Sequence, residues 1–152
     1  MNGGYLVSNI YTEDFNRWVQ QTTQCLRERR WQEVDVDHLI EEIEDLGKSE
    51  RRSIASQLTR LLLHLLKWQY QPQRRSDSWL DSITDARTQI ELAIQDSPSL
   101  RNYPAEQLEQ SYQQARHKAS RQTAIALVVF PEACPYPIES VLTEEWLPES
   151  DE

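Results

Sequence analysis

DHLIEEIEDLGKSERRSIASQLTRLLLHLLKWQYQP, residues 37–72, is the stretch that decides how this chain folds. An acidic segment carrying Val36, Leu39, Ile40, Ile43 and Leu46 meets a leucine-rich segment across a single Gly47. Apolar residues recurring every three or four positions line one face of a helix, because each residue turns it by about 100°. Asp35 or Asp37 can cap the start, and Gly47 suits the C-terminal position, so the spacing predicts a short helix ending there. Ser49 then caps a longer helix that runs to about Tyr70, where Pro72 stops it. Ile54, Leu58, Leu61, Leu62, Leu65 and Gln69 mark one face of that helix. Leu63 and Leu66 widen the face almost all round, as in a central, heavily buried element.

One local rule is broken. Arg51 and Arg52 would sit in the first turn of the second helix, where positive charge opposes the helix dipole by several tenths of a kcal/mol. Two arrangements remove the conflict. Either the helix continues through Gly47, so that no terminus exists there, or the arginines pair with Glu44 and Asp45 across a bend. The pairing makes Gly47 a charge-paired joint.

Working outward, Phe15, Trp18, Val19, Thr22 and Leu26 predict a first helix, with Thr12 as N-cap, running to about Arg30. Ser76 or Ser78 starts another, with Trp79, Ile83, Ala86, Ile90 and Ala93 or Ile94 inward, ended at Ser97-Pro98. Pro104 opens the next, whose stripe of Leu108, Tyr112, Ala115, Ala119, Thr123 and Ala126 permits close packing. Phe130-Pro131-Glu132-Ala133-Cys134-Pro135-Tyr136-Pro137 cannot be helical throughout. A short helix at Ile138–Leu142 and an anchor at Trp146 and Leu147 follow. The expected fold is all-α: about five helices in one bundle-like domain spanning residues 1–152. Residues 1–10 form an N-terminal arm, and residues 130–152 an irregular, proline-rich, acidic tail that wraps the bundle.

The chain has 152 residues, 38% of them hydrophobic, enough for one core that hides about 70% of the unfolded surface. It contains no apolar run of membrane-spanning length, and Met1-Asn2-Gly3-Gly4-Tyr5 does not resemble a secretory leader, so a cytosolic location is expected. Cys25 and Cys134 share no paired spacing and are expected as free thiols. The net charge of −9 is concentrated in two acidic blocks, residues 33–45 and residues 132–152. Outside them bases outnumber acids, which favours internal pairing or a basic partner and disfavours nucleic acid.

Several segments together carry a family resemblance. They are Tyr11, Asp14, Phe15 and Trp18; Leu39 through Gly47; Ser49-Glu50-Arg51-Arg52; His64 through Pro72; Arg74-Arg75-Ser76; Trp79; Asp96 through Arg101; and Phe130 through Tyr136. In this order, from about Tyr11 to Pro148, they resemble the bacterial family known as domain of unknown function 29. The resemblance implies an α-helical, bundle-like domain, and it brings no activity, cofactor or partner.

His64 is the sharpest candidate for chemistry. It borders the apolar stripe beside Gln57, Arg60 and Trp68, while Glu42 and Glu44 flank the stripe of the preceding segment. His38, Glu41 and Asp45 point toward solvent. If the two helices pack antiparallel, Glu42 or Glu44 reaches Arg60 or His64, as an acid/base pair or half of a metal site. The alternative is a satisfied border histidine. No HExxH spacing supplies further ligands, so no metal site is assigned and no cofactor is implied. Lys67, Arg74 and Arg75 with Trp68, Tyr70 and Trp79 combine cations and aromatics that can stack bases or grip phosphate. Cations and aromatics also suit a helix end. Cys134 lacks a helix start to activate it and is read as structural.

Subtraction leaves a non-enzymatic protein-interaction module that engages an unidentified protein partner through the acidic helix, which suits a basic partner, or through the aromatic turn. Homo-oligomerisation is open, and a membrane is not expected. The alternative is a small metal-binding or acid/base enzyme using His64 with Glu42 or Glu44.

Overall fold

The structure is a computed structural model that describes residues 10–150. The expected N-terminal arm, apart from Ile10, and the last two residues of the acidic tail lie outside the described residues. Among those described, none is in a strand. The helices are α1 (Phe15–Arg27), α2 (Val36–Tyr70), α3 (Asp77–Asp96), α4 (Tyr103–Thr123) and α5 (Ile138–Leu142). Residues 10–13 are helical as well, and single 3-10 turns follow α1, α2, α3 and α4. The chain divides at Ser49/Glu50 into two compact units.

In the N-terminal unit, Asp14 rather than Thr12 is the N-cap of α1. Its carboxylate accepts the Arg17 N–H at 3.0 Å. The helix stops at Arg27 because Arg29 turns left-handed, at φ 57°. The Arg30 N–H then reaches the Cys25 carbonyl at 2.9 Å, and the Arg29 N–H reaches that of Leu26 at 3.2 Å. These are the two bonds of a Schellman ending, with arginine where glycine is usual.

The expected break at Gly47 does not occur. α2 runs unbroken from Val36 to Tyr70, and no glycine among the described residues has a positive φ. Ser49 is therefore no N-cap, and Arg51 and Arg52 face no helix start. The charge-paired joint is also absent, since the ion pairs among the described residues join Arg30 to Glu28 and Glu33, His38 to Asp35, and Arg60 to Asp85.

The C-terminal unit contains the apolar core. Ile54, Leu58, Leu61, Leu62, Leu65 and Leu66 of α2 are fully or almost fully buried, as the all-round leucine pattern requires. Ile83, Ala86 and Ile90 of α3, Tyr112, Ala115 and Ala119 of α4, and Phe130, Tyr136 and Val141 complete one cluster with them. Small residues on α4 allow its backbone to come close. Arg116 binds the chain beyond α4, donating to the Phe130 and Leu127 carbonyls at 3.1 Å. The Tyr112 hydroxyl donates to the Pro131 carbonyl at 2.6 Å.

α4 ends at Thr123, short of the expected Ala126, because Ala124 is left-handed at φ 60°. Its Cβ is strained there. Ala124→Gly is expected to raise the unfolding free energy by about 1 kcal/mol, the left-handed penalty less the extra freedom of the unfolded chain. Urea unfolding measures this. A loss of stability instead would mean that α4 continues through residue 124.

Candidate functional site

The residues expected around His64 divide. Glu42 and Glu44 lie on the same unbroken helix as His64, so the antiparallel packing that would turn them toward it does not exist. Arg60 instead pairs with Asp85 of α3 at 2.6 Å. His64 Nδ1 donates to the Arg60 carbonyl at 2.8 Å, one turn back along its own helix. Burial, aided by the charges of Lys67 and Arg60, holds its pKa below the usual imidazole range. Among the described residues, no carboxylate contact orients this ring.

The aromatic turn is largely occupied by its own contacts. The Arg75 guanidinium lies 4.7 Å from the centroid of the Trp68 ring and donates to the Trp68 carbonyl at 2.8 Å and to Ser150 Oγ at 2.5 Å. Lys67 Nζ lies 5.8 Å from the Trp79 ring centroid. Arg74 is exposed. Cys134 is half-buried, and burial pushes its thiol up to about 11, which suits a structural role. Among the described residues, no group of three or more His, Cys, Asp or Glu side chains is placed to hold a metal ion.

A cavity of about 1080 Å³ lies beside α3, lined among others by Leu80, Ile83, Ile90, Ile94, Leu142 and Leu147. Arg87 ties the C-terminal segment across it, donating to the Val141 carbonyl at 2.9 Å and to that of Trp146 at 2.7 Å. Its other charges are mixed, Arg101 against Glu91, Glu144 and Glu145, and they select no ligand chemistry.

The N-terminal unit gathers polar groups around His38, which the helical wheel had sent outward. Asp35 accepts the His38 backbone N–H at 3.4 Å as a cap, and its other oxygen lies 2.5 Å from His38 Nδ1. Tyr11 stacks on the His38 ring with centroids 3.9 Å apart, and its hydroxyl donates to Glu42 Oε1 at 2.5 Å. His38 is thus half-buried and paired, not pointed at solvent. Tyr11 also meets Phe15 and Trp18 edge-on. Trp18 is buried, and its indole N–H has no acceptor among the described residues.

The Tyr11 phenol is pushed up to about 12, chiefly by its bond to Glu42, then by burial and by the charges of Glu41, Glu42 and Asp45. Because the folded pKa is raised, this contribution to stability is complete below the unfolded value near 10 and is lost as the pH climbs from there to about 12. Glu42→Gln is expected to move the Tyr11 midpoint back toward 10 in ultraviolet titration, read as a difference from Tyr11→Phe. An unmoved midpoint would show that Glu42 does not hold the phenol.

Those contacts fall on one flank of the apolar stripe of α2. At about 100° per residue, His38 and Glu42 lie on one side of it, and Asp37, Glu41 and Glu44 on the other. The stripe between them stays open: Ile40 is 49% exposed, Ile43 58% and Leu46 72%, with Val36 exposed alongside. α1 behaves in the same way, burying Trp18 and Thr22 while leaving Phe15 and Val19 exposed. Among the described residues, seven of the ten exposed large hydrophobics belong to this smaller unit, where scattered single exposures would need no explanation but a stripe does.

A family model described as "Domain of unknown function DUF29" matches residues 10–147. The chain belongs to the DUF29 family. No curated protein and no solved structure matches it. Both the Tyr11–His38–Glu42 cluster and the open stripe lie inside the DUF29 match. The contact between Tyr11 and Glu42 spans 31 positions, and no periodicity within one helix could have found it. Asp35 and His38, three apart with the acid at the cap position, were the one local signal of it.

Proposed function

We propose that this DUF29 chain is a non-enzymatic protein-interaction module whose contact surface is the open apolar stripe of α2. The observation that carries this is the offset between stripe and contacts: the unit's own packing covers one flank and leaves Val36, Ile40, Ile43 and Leu46 in solvent. Surfaces of this kind are contact sites in folded proteins. Of the two candidate surfaces, the acidic helix is favoured over the aromatic turn, because two of the turn's three cations, Arg75 and Lys67, are engaged on Trp68 and Trp79. An anionic lipid surface would repel the exposed Asp37, Glu41 and Glu44. A cytosolic setting with both cysteines reduced fits the reading. The enzymatic alternative has less support, since His64 lacks the carboxylate it was expected to meet.

A photo-crosslinking amino acid placed at position 43 in the intact chain, in cells, tests the proposal. It is expected to trap a discrete protein, whereas the same group at exposed Leu92 of α3 traps none. Equal or absent adducts at the two positions would overturn the reading.

A further inference from the structure

Resting on that reading, we infer that the occupant of the stripe is an amphipathic helix from another protein, with lysine or arginine along its edges. Shape is the first argument. Val36, Ile40, Ile43 and Leu46 form a slanting row of about 15 Å at 1.5 Å per residue, which a second helix crossing at an angle matches with anchors at i, i+3 or i+4, and i+7.

Charge is the second. Asp37, Glu41 and Glu44 are all exposed along the uncovered edge of the stripe, and no Lys or Arg occurs anywhere from Trp31 to Gly47. A helix lying on the apolar row would place its own flanking side chains against these carboxylates. Basic flanks are attracted there, and acidic flanks are repelled.

The same charges argue against two nearer occupants. Residues 1–49 contain ten acidic and five basic side chains, so two copies of this unit repel. Arg30, one of the five, is already paired with Glu28 and Glu33. Residues 1–9 contain no Lys or Arg to meet the acidic edge.

The test uses the full chain and two labelled peptides of about 18 residues, long enough for a helix when bound. Both carry leucine at the anchor spacing. One carries lysine at its flanks, and its twin carries glutamate. In fluorescence anisotropy at about 50 mM salt the lysine peptide is expected to bind about tenfold more tightly than its twin, and the difference is expected to shrink at about 500 mM. Reversing the edge with Asp37→Lys, Glu41→Lys and Glu44→Lys is expected to invert the order. Ile43→Asp is expected to abolish binding of both. A matched reversal on the other unit, Asp81→Lys, Glu91→Lys and Glu106→Lys, is expected to leave the preference intact.

Equal binding of the twins overturns the inference, as does a preference that disappears with the reversal on the other unit, which would mark attraction to net charge alone. Sedimentation showing a dimer that Ile43→Asp dissolves would make a second copy the occupant. Tighter peptide binding after deletion of residues 1–9 would make that segment the occupant. Either result overturns the inference. The two readings fail separately: an adduct at position 43 without a lysine preference leaves the interaction module standing and removes only the basic helix. No adduct removes the module whatever the peptides do.

Discussion

Leu62→Ala is expected to lower the unfolding free energy by about 3 kcal/mol, within the usual 2–5 for a leucine removed from a closed core. Leu62 has no exposed surface, and it sits in the cluster that joins α2, α3, α4 and the C-terminal segment. Truncation therefore removes both its transfer free energy and its contacts, leaving a cavity that fixed neighbours cannot fill. Urea unfolding followed by circular dichroism reads the loss. Ile43→Ala, on the same helix, is expected to change stability by no more than about 0.5 kcal/mol, because Ile43 is 58% exposed. A large effect at Ile43 with a small one at Leu62 would contradict the burial pattern on which the functional proposal stands.

Gly47→Pro is expected to cost about 3 kcal/mol, and Gly47→Ala to add about 0.5–1 kcal/mol. The pair tests the continuity of α2. Inside a helix, proline removes a hydrogen bond and clashes with the preceding turn, while alanine lowers the entropy of the unfolded chain and leaves the helix undisturbed. At a left-handed helix ending the alanine result reverses sign, because its Cβ is disfavoured there. Gly47 has no positive φ and lies well inside Val36–Tyr70, so stabilisation by alanine is the expected outcome. Helical signal at 222 nm and the urea midpoint measure both variants.

Gly47 lies inside α2, where the spacing predicts a helix ending. Glycine after an apolar stripe is a common helix ending, but its cost in a helix interior is only about 1 kcal/mol. The stripes on its two sides could not reveal whether a turn intervened. Arg51 and Arg52 held the clue, since an unfavourable first turn is a reason to doubt that a turn is there. Once α2 is continuous, the approach of Glu42 or Glu44 to His64 goes with the bend that would have produced it.

The site was legible in part. The helical wheel placed Glu42 beside the stripe, where its carboxylate now accepts from Tyr11. It also turned His38 outward, because a wheel describes one helix and carries nothing about Tyr11, which arrives from residues 10–13 and stacks on it. Arg60 was placed beside His64 with Glu42 or Glu44 as the expected partner, but the acid it meets, Asp85, comes from α3. The exposure of Ile40 and Ile43 could not be inferred either, since apolar spacing looks the same whether a face is covered or open.

By itself the sequence determined what depends on near neighbours: an all-helical chain, a leucine-rich segment buried almost all round, and the stops at Pro72 and Ser97-Pro98. These follow from backbone geometry and side-chain spacing within a few residues. Only the tertiary structure decided whether Gly47 breaks α2, which acid holds Arg60, what covers His38 and which apolar face stays in water. Each of those depends on a partner distant in sequence, or on the lack of one, and the free energy of a contact belongs to both of its members.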